Sequence, residues 1–147
     1  MKVYIGADHA GFKLKEKLKL FLNKNNYSIF DLGASQLIKD DDYPKYASAV
    51  GKLVAKNKDS FGILICGSGH GVCIAANKVK GIRAVLCEHI KDTFYSRRDD
   101  DANVLCLQGR YTNFFRAKKL VKKFLETKFA DEYRYKRRIN QIKRLER

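Results

Sequence analysis

The 147-residue chain alternates short apolar runs with stretches in which apolar residues recur every three or four positions. The runs "KVYIGA" (2–7), "YSIFDLG" (27–33), "FGILIC" (61–66), "IRAVLC" (82–87) and "NVLCLQ" (103–108) read as strands. Their continuity, in place of strict alternation, predicts a sheet covered on both faces. Amphipathic segments fall between them at 12–25, 43–58, 71–80 and 89–98, and two more follow at about 113–128 and 132–147. The first of these puts Leu14, Leu18, Phe21 and Leu22 on one helical face, and Pro44 suits the first turn of the second. Strands separated by helices predict a three-layer α/β/α, Rossmann-like fold around a five-stranded parallel sheet. With one proline, no repeat and no low-complexity linker, residues 1–147 read as a single domain.

In such folds ligands bind beyond the carboxyl ends of the strands. That rule predicts one rim made of "GADHAG" (6–11), "DDYP" (41–44), "CGSGHG" (66–71) and "RRDDDAN" (97–103). The third segment is the most unusual. Its glycines, Gly67, Gly69 and Gly71, fit neither a P-loop, which needs Lys-Ser/Thr, nor the G-x-G-x-x-G dinucleotide spacing. A thiol, Cys66, stands directly before them. A glycine turn that opens a helix brings backbone N–H groups close to a ligand and favours negative charge. The same field favours a thiolate, so a base or nucleophile would sit beside a cradle for a developing oxyanion. The alternative is a small buried residue at a strand end. Asp8 and His9 likewise read either as proton-transfer groups at a strand's carboxyl end or as a helix cap and a structural histidine. Cys73, Cys87 and Cys106 lie in apolar patterns and read as core.

Composition adds three things. The cysteines form no CxxC pair and do not cluster with the three histidines, which argues against a zinc site or a disulfide framework. No targeting signal is visible and no apolar run approaches the ~20 residues of a membrane span, so the expectation is a cytoplasmic protein with no membrane partner. The formal charge is +15, and residues 115–147 carry 13 Lys/Arg against 4 Asp/Glu. A basic nucleic-acid-binding module is therefore a competing reading, but it leaves the Cys66 loop unexplained, and the lysines fall at helix-surface spacing.

Taken together, "IGADHAGFKLKEKL", "DDYPKYA", "GILICGSGHGVCIAANKVKGIRA" and "DANVLCLQGR" resemble the ribose-5-phosphate isomerase B family, which also contains the galactose-6-phosphate isomerase subunits. The resemblance spans nearly the whole chain. It implies an enzyme of the pentose phosphate pathway that interconverts ribose 5-phosphate and ribulose 5-phosphate without metal or cofactor, through an enediolate. It implies a homodimer or tetramer whose C-terminal helix reaches across to a partner, so that active sites are shared between chains. Cys66 matches the base that takes the C2 proton. Gly67, Ser68, Gly69, His70 and Gly71 match the enediolate loop, with Ser68 supplying its hydroxyl. Asp8 and His9 match a substrate-binding pair and Tyr43 the pocket wall, while Arg110, Arg134 and Arg138 match phosphate ligands.

The match breaks at three places. Relatives of the ribose type carry a histidine, which helps to open the sugar ring, and an asparagine where this chain has Asp99 and Asp100. His70 stands where relatives have an apolar or small residue, and either Asp99 or His70 is a candidate for ring opening. Tyr135 replaces a histidine between the two arginines. These changes keep a six-carbon sugar phosphate, allose or galactose 6-phosphate, open as the substrate.

Overall fold

The computed structural model describes residues 1–146. Five strands, β1 (Lys2–Ala7), β2 (Ser28–Asp31), β3 (Ser60–Cys66), β4 (Ala84–Leu86) and β5 (Val104–Gln108), are all parallel and stand in the order β2-β1-β3-β5-β4. Six helices connect and follow them: α1 (Phe12–Lys24), α2 (Tyr43–Lys56), α3 (His70–Asn77), α4 (Ile90–Arg98), α5 (Phe114–Glu126) and α6 (Tyr133–Leu145). The three-layer architecture expected from the sequence is present. The edge strands β2 and β4 are shorter than their apolar runs, because only one neighbour pairs with them.

The sheet sorts its side chains residue by residue, as a pleated strand must. Val3, Ile5, Ala7, Ile63, Ile65, Leu105 and Leu107 pack with α1 and α5 through Leu14, Leu18, Leu22, Leu120 and Phe124. Tyr4, Leu64, Cys66, Val104 and Cys106 face the other way, onto Val50 and Val54 of α2 and Val72 and Ala76 of α3. Cys66 therefore ends β3 with its side chain on the α2/α3 side.

A charged group is buried against this pattern. Lys15 is fully buried in α1. Its Nζ donates to Asp31 Oδ2 at 2.6 Å and to the Ala34 carbonyl at 2.9 Å, and it lies 2.9 Å from Glu16. Lys19 adds a second bond to Asp31 at 2.6 Å. The lysine thus fastens the start of the β2–α2 connection to α1. Burial raises the Asp31 carboxyl, but the bonds from Lys15, Lys19 and the Gly33 N–H outweigh it and hold the group below the ordinary carboxylate range. A depressed carboxyl stabilises the fold above its unfolded-state pKa and stops doing so as pH falls through its folded-state value. Asp31→Ala is expected to cost about 3 kcal/mol at neutral pH, since it leaves a buried ammonium short of its main counter-charge. Denaturant titrations at pH 7 and in the acid range check this, and the difference between variant and wild type should shrink in acid.

α4 begins at the carboxyl rim and runs back along the sheet. Its last residue, Arg98, and the segment after it therefore stand at the amino end of β5. Arg83, before β4, donates from Nε to the Asp101 carbonyl at 2.9 Å, and the Gly62 N–H donates to the Asn103 carbonyl at 2.9 Å. α6 packs at this same end. Tyr135 and Ile139 are its buried residues, Arg98 Nη2 donates to Tyr135 Oη at 3.1 Å, and the Gly81 N–H donates to Glu146 Oε1 at 2.9 Å.

Candidate active site

β1 has β2 on one side and β3 on the other, so the chain changes direction across the sheet between them. A crevice opens at such a switch point, beyond the carboxyl ends of the strands. The turns after β1, β3 and β5 meet there, main chain to main chain. The Asp8 N–H reaches the Ile65 carbonyl at 3.3 Å, the Gly109 N–H the Cys66 carbonyl at 2.7 Å, and the Arg110 N–H the Gly67 carbonyl at 3.1 Å.

Cys66 is 4% exposed. The turn after it passes through Gly69, whose φ of +76° is a left-handed conformation that suits glycine. A Cβ there would also lie 2.5 Å from Leu86 Cδ1. The next residue, His70, opens α3, and the first N–H groups of a helix have no partner within the helix itself. Two side chains lie over this loop. A Cβ on Gly67 would sit 3.0 Å from the Arg110 guanidinium carbon, and one on Gly71 would sit 2.5 Å from Tyr43 Cζ. A cation and a phenol ring thus flank the N–H cradle at its two ends. Ser68 is half-buried between them, and its Oγ is a long 3.4 Å from the His70 N–H. His70 itself is exposed.

Asp8 is buried, and its Oδ1 accepts the N–H groups of Ala10 at 3.0 Å and Gly11 at 3.1 Å. Asp8 is therefore not the cap of α1, which is Gly11 without a side-chain bond; one of its oxygens instead closes the turn before the helix. His9 is held by a residue from the β2–α2 connection. Asp41 Oδ1 accepts the His9 backbone N–H at 2.7 Å and lies 3.1 Å from His9 Nδ1, while Tyr46 Oη donates to Asp41 Oδ2 at 2.7 Å.

A sequence profile described as Ribose/Galactose Isomerase matches residues 3–142. The chain belongs to the ribose/galactose isomerase family. A crystal structure of ribose-5-phosphate isomerase B from Mycoplasma genitalium with bound ribulose-5-phosphate is similar to it with a TM-score of 0.94 and 42% identity, over 99% of this chain and 95% of that one. The ribose 5-phosphate isomerase of Thermotoga maritima superposes with a TM-score of 0.92 at 40% identity, over 97% of each chain. A probable ribose-5-phosphate isomerase B of Mycoplasma pneumoniae is 41% identical over 99% of this chain and 95% of its own length.

Not every expected residue of the isomerase stands at this rim. Cys66, Gly67, Ser68, Gly69, His70, Gly71, Asp8, His9, Tyr43 and Arg110 come together there. Asp99, Asp100, Arg134 and Arg138 do not, and the expectation of a single rim that includes "RRDDDAN" is corrected. They lie on α4's far end and on α6, at the opposite end of the sheet. There Asp99 Oδ1 lies 3.3 Å from Arg98 Nε, without a hydrogen bond, and Arg134 Nη2 donates to Tyr135 Oη at 2.7 Å. Burial and the Asp99 charge push the Asp100 carboxyl up, against the pull of Arg138 and Arg83. A cavity of about 490 Å³ also opens at this end, between Phe61, Arg83, Arg97 and Lys143, away from Cys66.

A second correction concerns Cys73, expected in the core. It is half-buried, and its thiol lies at about 7, lowered by a hydrogen bond from the Cys106 thiol and by the Leu86 backbone against the effect of burial. Cys87 and Cys106 are buried as expected, and burial raises both, Cys87 to about 11. Asp41 and Tyr46 were not singled out by the sequence.

Proposed function

We propose that this isomerase interconverts ribose 5-phosphate and ribulose 5-phosphate through an enediolate, with Cys66 as the base. The observation that carries the reading is the convergence at the switch point. A strand-end thiol stands at the mouth of a glycine loop whose N–H groups are flanked by Arg110 and Tyr43. The Cys66 thiolate takes the proton from C2 of the open-chain aldose, and the electron pair moves onto the carbonyl oxygen at C1. The N–H groups from Gly67 to Gly71 and the Ser68 hydroxyl stabilise that oxygen. Returning the proton to C1, and moving one between the two oxygens, gives the ketose, so atoms and electrons balance with no further reagent. Asp8 and His9 bind the sugar at the β1 turn, Tyr43 walls the pocket, and Arg110 draws the phosphate.

Arg134 and Arg138, four residues apart on one face of α6, grip the phosphate from a second copy of the chain, and Asp99 and Asp100 come with them. The assembly is a homodimer, or a tetramer built from it. His70, exposed at the loop, assists opening of the sugar ring.

The direct test is turnover of ribose 5-phosphate by the purified protein, read as ketose formation and run in both directions for His70→Ala. Wild type is expected to turn over. The variant should lose about tenfold or more on the ring-closed aldose and far less on the open-chain ketose. Equal losses in both directions remove His70 from ring opening. A folded wild type that is inactive on ribose 5-phosphate but turns over allose or galactose 6-phosphate moves the substrate to six carbons.

A further inference from the structure

We infer that Asp41 is a positioning residue of this site. It holds the His9 ring in one orientation and one tautomer, so that Nε2 is the atom His9 offers to the substrate. The inference extends the isomerase reading by a residue to which the sequence comparison gave no role.

Asp41 reaches His9 from 32 residues away and bonds the β2–α2 connection to the β1 turn. One carboxylate oxygen, Oδ1, faces both the backbone N–H of His9, at 2.7 Å, and its ring Nδ1, at 3.1 Å. Two contacts to one residue fix the ring's angle to its own backbone as well as its position. The other oxygen is taken by the Tyr46 hydroxyl at 2.7 Å, and Tyr46 is itself buried in the first turns of α2. The Asp41 side chain is 2% exposed, whereas the His9 side chain is 32% exposed. The carboxylate is thus anchored on the protein side, and the imidazole is the exposed member of the pair.

The chemistry of the pair sets the tautomer. An ionised carboxylate only accepts hydrogen bonds, so the nitrogen facing it must carry a proton. Burial raises the Asp41 carboxyl, but the Tyr46 hydroxyl and the His9 backbone and ring bonds outweigh it and hold the group below the ordinary carboxylate range. The proton on Nδ1 is therefore committed inward. Nε2 is then an acceptor when the ring is neutral and a donor when it is charged, and in both states it points away from Asp41. Neither neighbour competes for the role: Asp40 is exposed on a left-handed turn, and Asp42 is exposed at the start of α2. The β2–α2 connection that carries Asp41 is tied at its other end by Lys15 to Asp31 and Ala34, so the anchor does not depend on a free loop.

A residue that acts through His9 should matter only while His9 is present. Sugar-phosphate isomerisation is compared for wild type, Asp41→Asn, His9→Ala and the double variant. Asparagine keeps the size and one carbonyl acceptor but removes the charge and the fixed proton demand. Asp41→Asn is expected to lower kcat/KM by about 10- to 100-fold in wild type, the weight of one charge-assisted hydrogen bond. In the His9→Ala background it should change the rate by less than about twofold. Equal fractional losses in both backgrounds, or no loss in wild type, overturn the inference. A second arm needs no substrate and decides the matter if the sugar phosphate has been misassigned. In 15N-histidine NMR at alkaline pH, where the ring is neutral, His9 should show the Nδ1–H tautomer in wild type and a mixture in Asp41→Asn. An Nε2–H tautomer in wild type overturns it.

Discussion

Cys66→Ala is expected to lower kcat for sugar-phosphate isomerisation by about 10³-fold, within the range that general acid–base groups supply. The prediction is sharp because the backbone around Cys66 does not depend on its thiol. The Cys66 carbonyl accepts the Gly109 N–H at 2.7 Å, and Gly67 and Arg110 continue the same ladder. The glycine loop should therefore stay in place when the sulfur is removed, and a small buried truncation of this kind costs about 1 kcal/mol of stability. A thermal melt separates that loss from the loss of rate. The necessary comparison is Cys73→Ala. The Cys73 thiol is lowered to about 7 and is half-buried, while Cys66 is 4% exposed, so an alkylating reagent is expected to modify Cys73 as well as any reactive Cys66. Inactivation by such a reagent would not identify the base, whereas the two variants do. Cys73→Ala should keep most of the activity. A Cys66→Ala enzyme within tenfold of wild type would remove the thiol from the chemistry.

The elements of this fold are legible because each strand is an apolar run and each helix hides one face. The direction in which a helix travels is also legible, yet the single-rim expectation neglected it. A helix that leaves the carboxyl end of β4 must deliver its last residues to the amino end of β5. Asp99 and Asp100 were therefore bound for the far end of the sheet, whatever their chemistry. Two other features lie beyond a linear reading. Lys15 falls among lysines that alternate along α1, and only Asp31, arriving at the end of β2, makes burial of that one tolerable. Asp41 is the middle of three consecutive aspartates. Nothing in "DDD" says which of them turns inward; the left-handed turn at Asp40 and the start of α2 after Asp42 decide it. The Cys66 loop was readable because glycine spacing and a strand-end thiol are local signals. The His9–Asp41 pair was not, because it is made by tertiary structure.

Mixing two impaired variants is expected to restore activity. Within one protomer Cys66 stands at the carboxyl rim, and Arg134 and Arg138 stand on α6 at the opposite end. If both halves serve one substrate, they must come from different copies. A two-fold axis does this twice over, setting the rim of each protomer against the far end of the other. On the proposed reading, Cys66→Ala lacks the base. Arg134→Ala with Arg138→Ala would lack the proposed phosphate grip and should lose about 10²-fold or more, mainly through KM, as charge-assisted bonds to the phosphate disappear. Random reassociation of the two variants makes half of the dimers mixed. Each mixed dimer holds one site with both defects and one site with neither, so about a quarter of the wild-type sites return. The arginines are not idle in the meantime. Arg134 lies 3.1 Å from Glu132 and donates to Tyr135 Oη, and Arg138 acts on the Asp100 carboxyl. A phosphate arriving from a partner's rim would draw the Arg134 guanidinium out of these contacts. The recovered activity should therefore appear with a wild-type KM, since every restored site has all its groups. No recovery after verified exchange of subunits would confine each site to one chain and leave the α6 arginines as solvated surface.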